Sequence, residues 1–249
     1  MNVRNMKIKQ FKKKHNNIYE LNLENGQNVL LYDEVILKYN LLIKKEILDD
    51  DISKINYDNN RIEAYIKSIK YIKSKLRTAK EIQKKLIDYP NDIINYVINR
   101  LYKEKYLNDE FYIKSYINDQ INLKIIGPTK IKYNLKRLGF NDELIDEKLS
   151  LVDNNIWNTK INKYIQKKIN TNHNLSSIML INKIKNELIT KGFYIENINE
   201  ELKKYNFSDD VKILKREYEK AKKKFSKKYK EEELDIVIKK HLCKKGFKI

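Results

Sequence analysis

From Asn60 onward the apolar residues recur at three- and four-residue steps. Ile62, Tyr65, Ile66, Ile69 and Ile72 trace one such stripe, the spacing of a single helix face. Thr78 and Glu81 then form a capping box, in which hydroxyl and carboxylate satisfy orphan amides. It opens a helix bearing Ile82 and Leu86 that Pro90 ends. Asn91 or Asp92 is expected to cap the next, with Ile94, Val97, Ile98 and Leu101 inward. Further stripes run through Phe111, Tyr112, Ile113, Tyr116 and Ile117, through Trp157, Ile161, Tyr164, Ile165 and Ile169, and through Val211, Leu214, Tyr218, Ala221 and Phe225. The first forty or so residues differ. Ile18 to Leu23 alternates apolar and polar, Asn25-Gly26 follows, and Val29 to Tyr32 is apolar again. That pattern predicts a β-hairpin, with Lys7 to Phe11 as a third strand. Asp33 is expected to cap a short helix, and a second short helix starts near Asp49–Asp51 and carries Ile52 and Ile55.

One phrase returns within this pattern. Ile131, Leu135, Gly139 and Phe140 are matched by Ile184, Leu188, Gly192 and Phe193, and by Ile238, Leu242, Gly246 and Phe247. A worn copy has Ile82 and Leu86 in phase and Pro90 in the glycine's place. Successive leucines stand 49, 53 and 54 residues apart, the signature of a tandem array. Ile and Leu four apart share a helix face. Glycine four residues on suits a left-handed helix stop, where a side chain costs energy. The fold class is therefore mainly α: an elongated tandem array of three-helix repeats behind a small N-terminal segment containing a β-hairpin. The expected divisions are a β-rich leader with short helices at 1–57, three-helix repeats at 58–108, 109–154 and 155–207, and a fourth repeat at 208–249 without its third helix.

Charge narrows the partner. The chain has 249 residues and a formal net charge of +19, with 53 Lys and Arg against 34 Asp and Glu. Such an excess favours a polyanion: nucleic acid, an acidic protein surface or anionic lipid. Only six of the bases are Arg, namely Arg4, Arg61, Arg77, Arg100, Arg137 and Arg216. The richness in Lys, Asn, Ile and Tyr is what an A+T-rich coding sequence produces, but that bias does not explain the surplus of base over acid. Basic strips run from Arg61 to Leu86, Lys124 to Arg137, Lys212 to Lys230 and Lys239 to Lys248, whereas acids gather at Asp142-Glu143 and Glu200-Glu201. Lys coating solvent faces would give any one strip. Recurrence with the repeat favours a continuous basic face able to track a phosphate chain or an acidic groove. Tyr71, Tyr133 and Tyr229 are available for stacking or for packing.

Catalytic chemistry finds little footing. His15, His173 and His241 share no metal-ligand spacing, so no metal site and no cofactor are expected. Gly127-Pro128-Thr129-Lys130 lacks the spacing of a phosphate loop. Asp49–Asp51 reads as a solvated helix start, and Asp109-Glu110 as part of a helix cap. Cys243, the only cysteine, excludes a disulfide framework and is expected to be a buried or half-buried thiol. No apolar run approaches the ~20 residues of a membrane span, and residues 1–10 lack the apolar core of a signal peptide. A cytoplasmic protein without enzymatic activity, and a monomer, is expected.

The repeat phrase, the run Lys75 to Ile82 containing Arg77, Thr78 and Glu81, and the run Leu101 to Phe111 containing Tyr106, Leu107, Asn108 and Asp109 together resemble the RecX family, bacterial regulators of the RecA recombinase. Lys105 stands where the family's joint has glycine, and Pro90 where the first phrase would have it. The likeness covers nearly the whole chain; the leader with Asp33, Glu34 and Val35 is similar to the extension of longer Gram-positive-type members. It implies a non-enzymatic protein that binds RecA filaments on single-stranded DNA and modulates, chiefly inhibits, their growth. The rival reading is a sequence-tolerant nucleic-acid-binding protein acting without a recombinase. Helix position and charge, rather than the resemblance, select Arg77, Lys132, Lys136, Arg137, Lys185, Lys239 and Lys240 as candidate contacts to partner or DNA.

Overall fold

The computed structural model describes residues 5–15, 17–207 and 211–247. Arg4, Lys248 and the start of the fourth expected repeat lie outside them. The chain divides into two compact units, Met1–Tyr112 and Ile113–Ile249.

The first unit begins with β1 (Asn5–Lys13), β2 (Ile18–Leu23) and β3 (Asn28–Tyr32). Short helices α1 (Asp33–Lys38) and α2 (Leu41–Lys44) lead to β4 (Glu46–Leu48). The strands form an antiparallel sheet in the order β3-β2-β1-β4. The expected hairpin is β2–β3, with Leu21 opposite Val29, and Lys7 to Phe11 lies within β1 as read from the sequence. Alternation sends Ile8, Leu21, Leu23 and Leu31 inward, where Val35, Ile36, Leu41, Ile47, Ile55 and Ile62 complete a core.

The two helices expected around Ile55 and Ile62 are one: α3 runs from Asp49 to Ile72 without a break. Asp58 hides the continuity. It occupies the inward phase between Ile55 and Ile62, so the apolar stripe is interrupted by a carboxylate. That carboxylate is buried and satisfied, by Lys38 Nζ, by the Tyr39 hydroxyl at 2.8 Å and by Arg61 at 3.3 Å. Burial pushes its pKa up, but the hydrogen bonds from Lys38 and Tyr39 outweigh burial and hold it below the usual carboxylate value. Beyond Asp58, α3 packs through Ala64 into a second core with α4 (Ala79–Lys85) and α5 (Asn91–Lys103), built on Ile82, Leu86, Ile93, Val97 and Leu101. The capping box forms as expected, Thr78 Oγ1 accepting from Glu81 N at 3.1 Å and Glu81 from Thr78 N at 2.9 Å. Two cap assignments move: Tyr32, not Asp33, is the N-cap of α1, and Pro90 rather than Asn91 or Asp92 caps α5.

The second unit takes most of α6 (Asp109–Leu123), then α7 (Pro128–Leu138), α8 (Asp142–Ser150), α9 (Asn154–Asn170), α10 (Ser177–Thr190), α11 (Ile195–Lys203), α12 (Val211–Phe225) and α13 (Glu231–Lys244). Helices α9, α10 and α11 touch pairwise, α8 packs on α7, and α12 on α13. Ile131, Leu135, Ile184, Leu188, Ile238 and Leu242 are all buried. Gly139, Gly192 and Gly246 take φ of +98°, +88° and +80°. Each ends its helix in a Schellman motif: the Phe N–H reaches the Leu carbonyl five residues back, in Phe193 to Leu188 at 3.1 Å and Phe247 to Leu242 at 3.1 Å. Helix α5 ends the same way. Tyr106 N bonds Leu101 O at 2.9 Å, and Lys105 takes the left-handed place at φ +63°. The turn survives the loss of its glycine. Cys243 corrects an expectation: it is exposed, because one residue past Leu242 a helix has turned about 100° from the core.

Candidate partner-binding interface

The glycine stops also join one helix to another. Gly127 N donates to Lys191 O at 2.8 Å, and Thr129 donates from both N (3.1 Å) and Oγ1 (2.9 Å) to Gly192 O. The start of α7 thus sits against the end of α10. The start of α10 repeats the device: Ser176 Oγ donates to Lys245 O at 2.6 Å beside Gly246. These contacts satisfy carbonyls that a helix end leaves without partners. They link residues more than sixty apart, and no local pattern announces them.

On this scaffold the seven candidate cations fare differently. Arg77 is largely inside. Its side chain is 12 % exposed, ion-paired with Glu81 at 3.2 Å and stacked 3.7 Å from the Tyr71 ring centroid. It clasps the end of α3 to the start of α4. Two other arginines of the first unit join α3 to α5, Arg61 over Tyr96 and Arg100 over Tyr65, the latter also holding Glu34 with two bonds. Lys132 pairs with Asp146 and Lys136 with Asp142, so acidic α8 zips onto basic α7. The Asp146 bond raises the Lys132 pKa. Arg137 is exposed on α7, its guanidinium 5.9 Å from the Tyr133 centroid. Lys239 pairs with Asp235 at 2.7 Å, which raises its pKa. Lys185, half-buried on α10, and Lys240, exposed on α13, have no ion pair among the described residues.

A further cation is structural. Lys160 of α9 donates to Lys124 O at 2.7 Å and to Ile121 O, capping the end of α6, and burial lowers its pKa. Of the tyrosines, Tyr71 lies under Arg77, Tyr133 is open to solvent, and Tyr229 packs edge-on to Phe225. Among the described residues no three His, Cys, Asp or Glu side chains converge as a metal site requires, and no helix is long and apolar enough to cross a membrane.

The fold and this surface define a class: a basic, mainly helical protein behind a small antiparallel sheet, with lysines prominent on its outward face. The comparisons agree. The chain is 30% identical over 184 residues to the regulatory protein RecX of Clostridium tetani, covering 71% of this chain and 82% of that one. It is 28% identical to the regulatory protein RecX of Streptococcus agalactiae serotype Ia, covering 97% of this chain and 95% of that one. A crystal structure of regulatory protein RecX shares the fold, with a TM-score of 0.71 at 24% identity over 80% of this chain and 100% of that chain. A crystal structure of RecX from Lactobacillus salivarius matches 59% of this chain and 97% of its own, with a TM-score of 0.56 and 30% identity. No family model matches the chain. The chain belongs to the RecX family of regulatory proteins.

Proposed function

We propose that this protein binds the filament that RecA recombinase forms on single-stranded DNA, and restrains filament extension, ATP hydrolysis and strand exchange. The observation that carries the reading is the match to regulatory proteins RecX over 97% of the chain. The net charge of +19 supports it, since a nucleoprotein filament is a long polyanion. In this reading the helices that follow α3 in the first unit, and residues 109–154, 155–207 and 208–249, act as successive modules, each contributing a weak contact. Several contacts on one chain sum to useful avidity without any one being tight. Lys185 and Lys240 are the first choice among the contacts, because neither gives up an internal ion pair when it meets a partner. Lys132, Lys136 and Lys239 each already hold a carboxylate.

The test is co-sedimentation with filaments assembled from RecA on single-stranded DNA, against the bare strand at the same salt. The proposal expects stronger retention on the filament, and a loss of retention in the Lys185→Ala/Lys240→Ala double variant at unchanged melting temperature. Equal retention on filament and bare strand supports the second reading, direct nucleic-acid binding, which the surplus of unpaired lysine charge also favours.

A further inference from the structure

A cleft of about 570 Å³ opens between α10 and α11, lined by Ile181, Lys185, Asn199, Leu202, Lys203, Tyr205 and Phe207. Its size is within the range of ligand pockets, roughly 300–1,000 Å³. Ile181 and Lys185 are one turn apart on α10, and Asn199, Leu202 and Lys203 share a face of α11, so each helix offers the cleft an apolar and a polar side chain. The chain leaving α11 closes one end with two half-buried rings, Tyr205 and Phe207, whose centroids lie 6.3 Å apart at 50°. Tyr205 is fixed by its hydroxyl, which donates to Asn162 Oδ1 at 3.1 Å. Phe207 has no polar tether.

Two chemical features meet here. The first is an aromatic face beside aliphatic side chains. The second is a pair of cations, Lys185 and Lys203; among the described residues neither has an ion pair and no carboxylate lines the cleft. The buried acid of α11, Glu201, is committed to Lys204 and Asn162. A ligand that answers both has a flat aromatic face and an anionic neighbour.

We propose that this cleft seats one nucleotide of a single-stranded nucleic acid: the base stacks on Phe207 with its edge toward Tyr205, and the flanking phosphates meet Lys185 and Lys203. Every nucleobase carries a π-face, so the seat tolerates any sequence. This site goes beyond the filament reading and does not depend on it, because the strand is bound without a recombinase.

The experiment is fluorescence anisotropy with the full chain, a short labelled oligodeoxycytidylate and a strand of equal length made of abasic units, with no RecA present. The wild type is expected to prefer the strand that carries bases. Phe207→Ala should weaken oligodeoxycytidylate binding about five- to a hundred-fold, the worth of one base–aromatic stack, and leave abasic binding unchanged. Lys203→Ala, an exposed helix position, should weaken both strands and reduce the salt slope by about 0.7, one phosphate contact on a single strand. The proposal is overturned if Phe207→Ala keeps full discrimination between the two strands, or if free cytidine monophosphate competes as well, per molecule, as the oligonucleotide. Lys185 serves both readings, but the sedimentation test compares filament with bare strand while this one compares bases with abasic units, so the failure of one is told apart from the failure of the other.

Discussion

Replacing Gly192 by alanine should cost the second unit far more than a left-handed residue usually does. A non-glycine side chain at φ +88° carries about 1–2 kcal/mol of steric penalty. Here a Cβ would also lie 2.4 Å from Lys130 N and 2.6 Å from Lys130 Cβ. The first is backbone and cannot swing aside, so the end of α10 must withdraw from the start of α7. Withdrawal breaks Gly127 N to Lys191 O and the two bonds from Thr129 N and Oγ1 to Gly192 O, each contributing about 1 kcal/mol net. The total is about 4–5 kcal/mol. With a urea dependence of about 2 kcal/mol per molar, the midpoint falls by about 2–2.5 M. Trp157, the single tryptophan, is buried in α9, and its fluorescence reports this unit. Gly26→Ala is the control: φ is +82°, but nothing lies within 4 Å of the added carbon, so only the steric penalty of about 1–2 kcal/mol remains, read by circular dichroism. If Gly192→Ala costs no more than Gly26→Ala, the close approach of α10 to α7 is wrong.

Other predictions follow from the same geometry. Lys105→Gly should raise stability by about 1 kcal/mol in thermal melts, because the left-handed turn is already made and the side chain only strains it. Arg77→Ala should lower the melting temperature, losing the stack on Tyr71 and the bond to Glu81, about 1–2 kcal/mol together; an unchanged melting temperature with impaired partner binding would instead return Arg77 to the interface. Glu217 receives hydrogen bonds from Lys220 and Lys245 that hold its pKa near 2, below the usual 4.5. A depressed carboxylate stabilises the fold above its unfolded pKa, and that share is lost as pH falls from about 4.5 toward 2. Melting temperatures across that window should therefore drop more steeply for the wild type than for Glu217→Gln, and parallel curves would refute the assignment.

Much of the helical framework was legible because its signals are local. Ile, Leu, Gly and Phe at fixed offsets specify a helix face, a left-handed stop and a buried plug within ten residues, and the hairpin needs only Asn25-Gly26 between alternating runs. The long α3 was hidden by a polar residue on the inward face, Asp58, whose partners Lys38 and Tyr39 lie about twenty positions earlier. The interface was less legible still. Counting bases found the lysines of α7 but not that Asp142 and Asp146 of α8 face them, since a solvent face and an interhelical ion pair read alike in sequence. The charge of Arg77 marks it as a contact, whereas its side chain is held by Tyr71 and Glu81 on either side. The cleft between α10 and α11 leaves no signature in the sequence, because Ile181, Lys185, Lys203 and Phe207 meet only through packing.

The central claim is action on the recombinase filament, and the most direct measurement is RecA's single-strand-dependent ATP hydrolysis as this protein is titrated in at fixed salt. Suppression is expected at protein levels far below those that cover the DNA. Hydrolysis that stays at its full rate until the strand itself is saturated would contradict it.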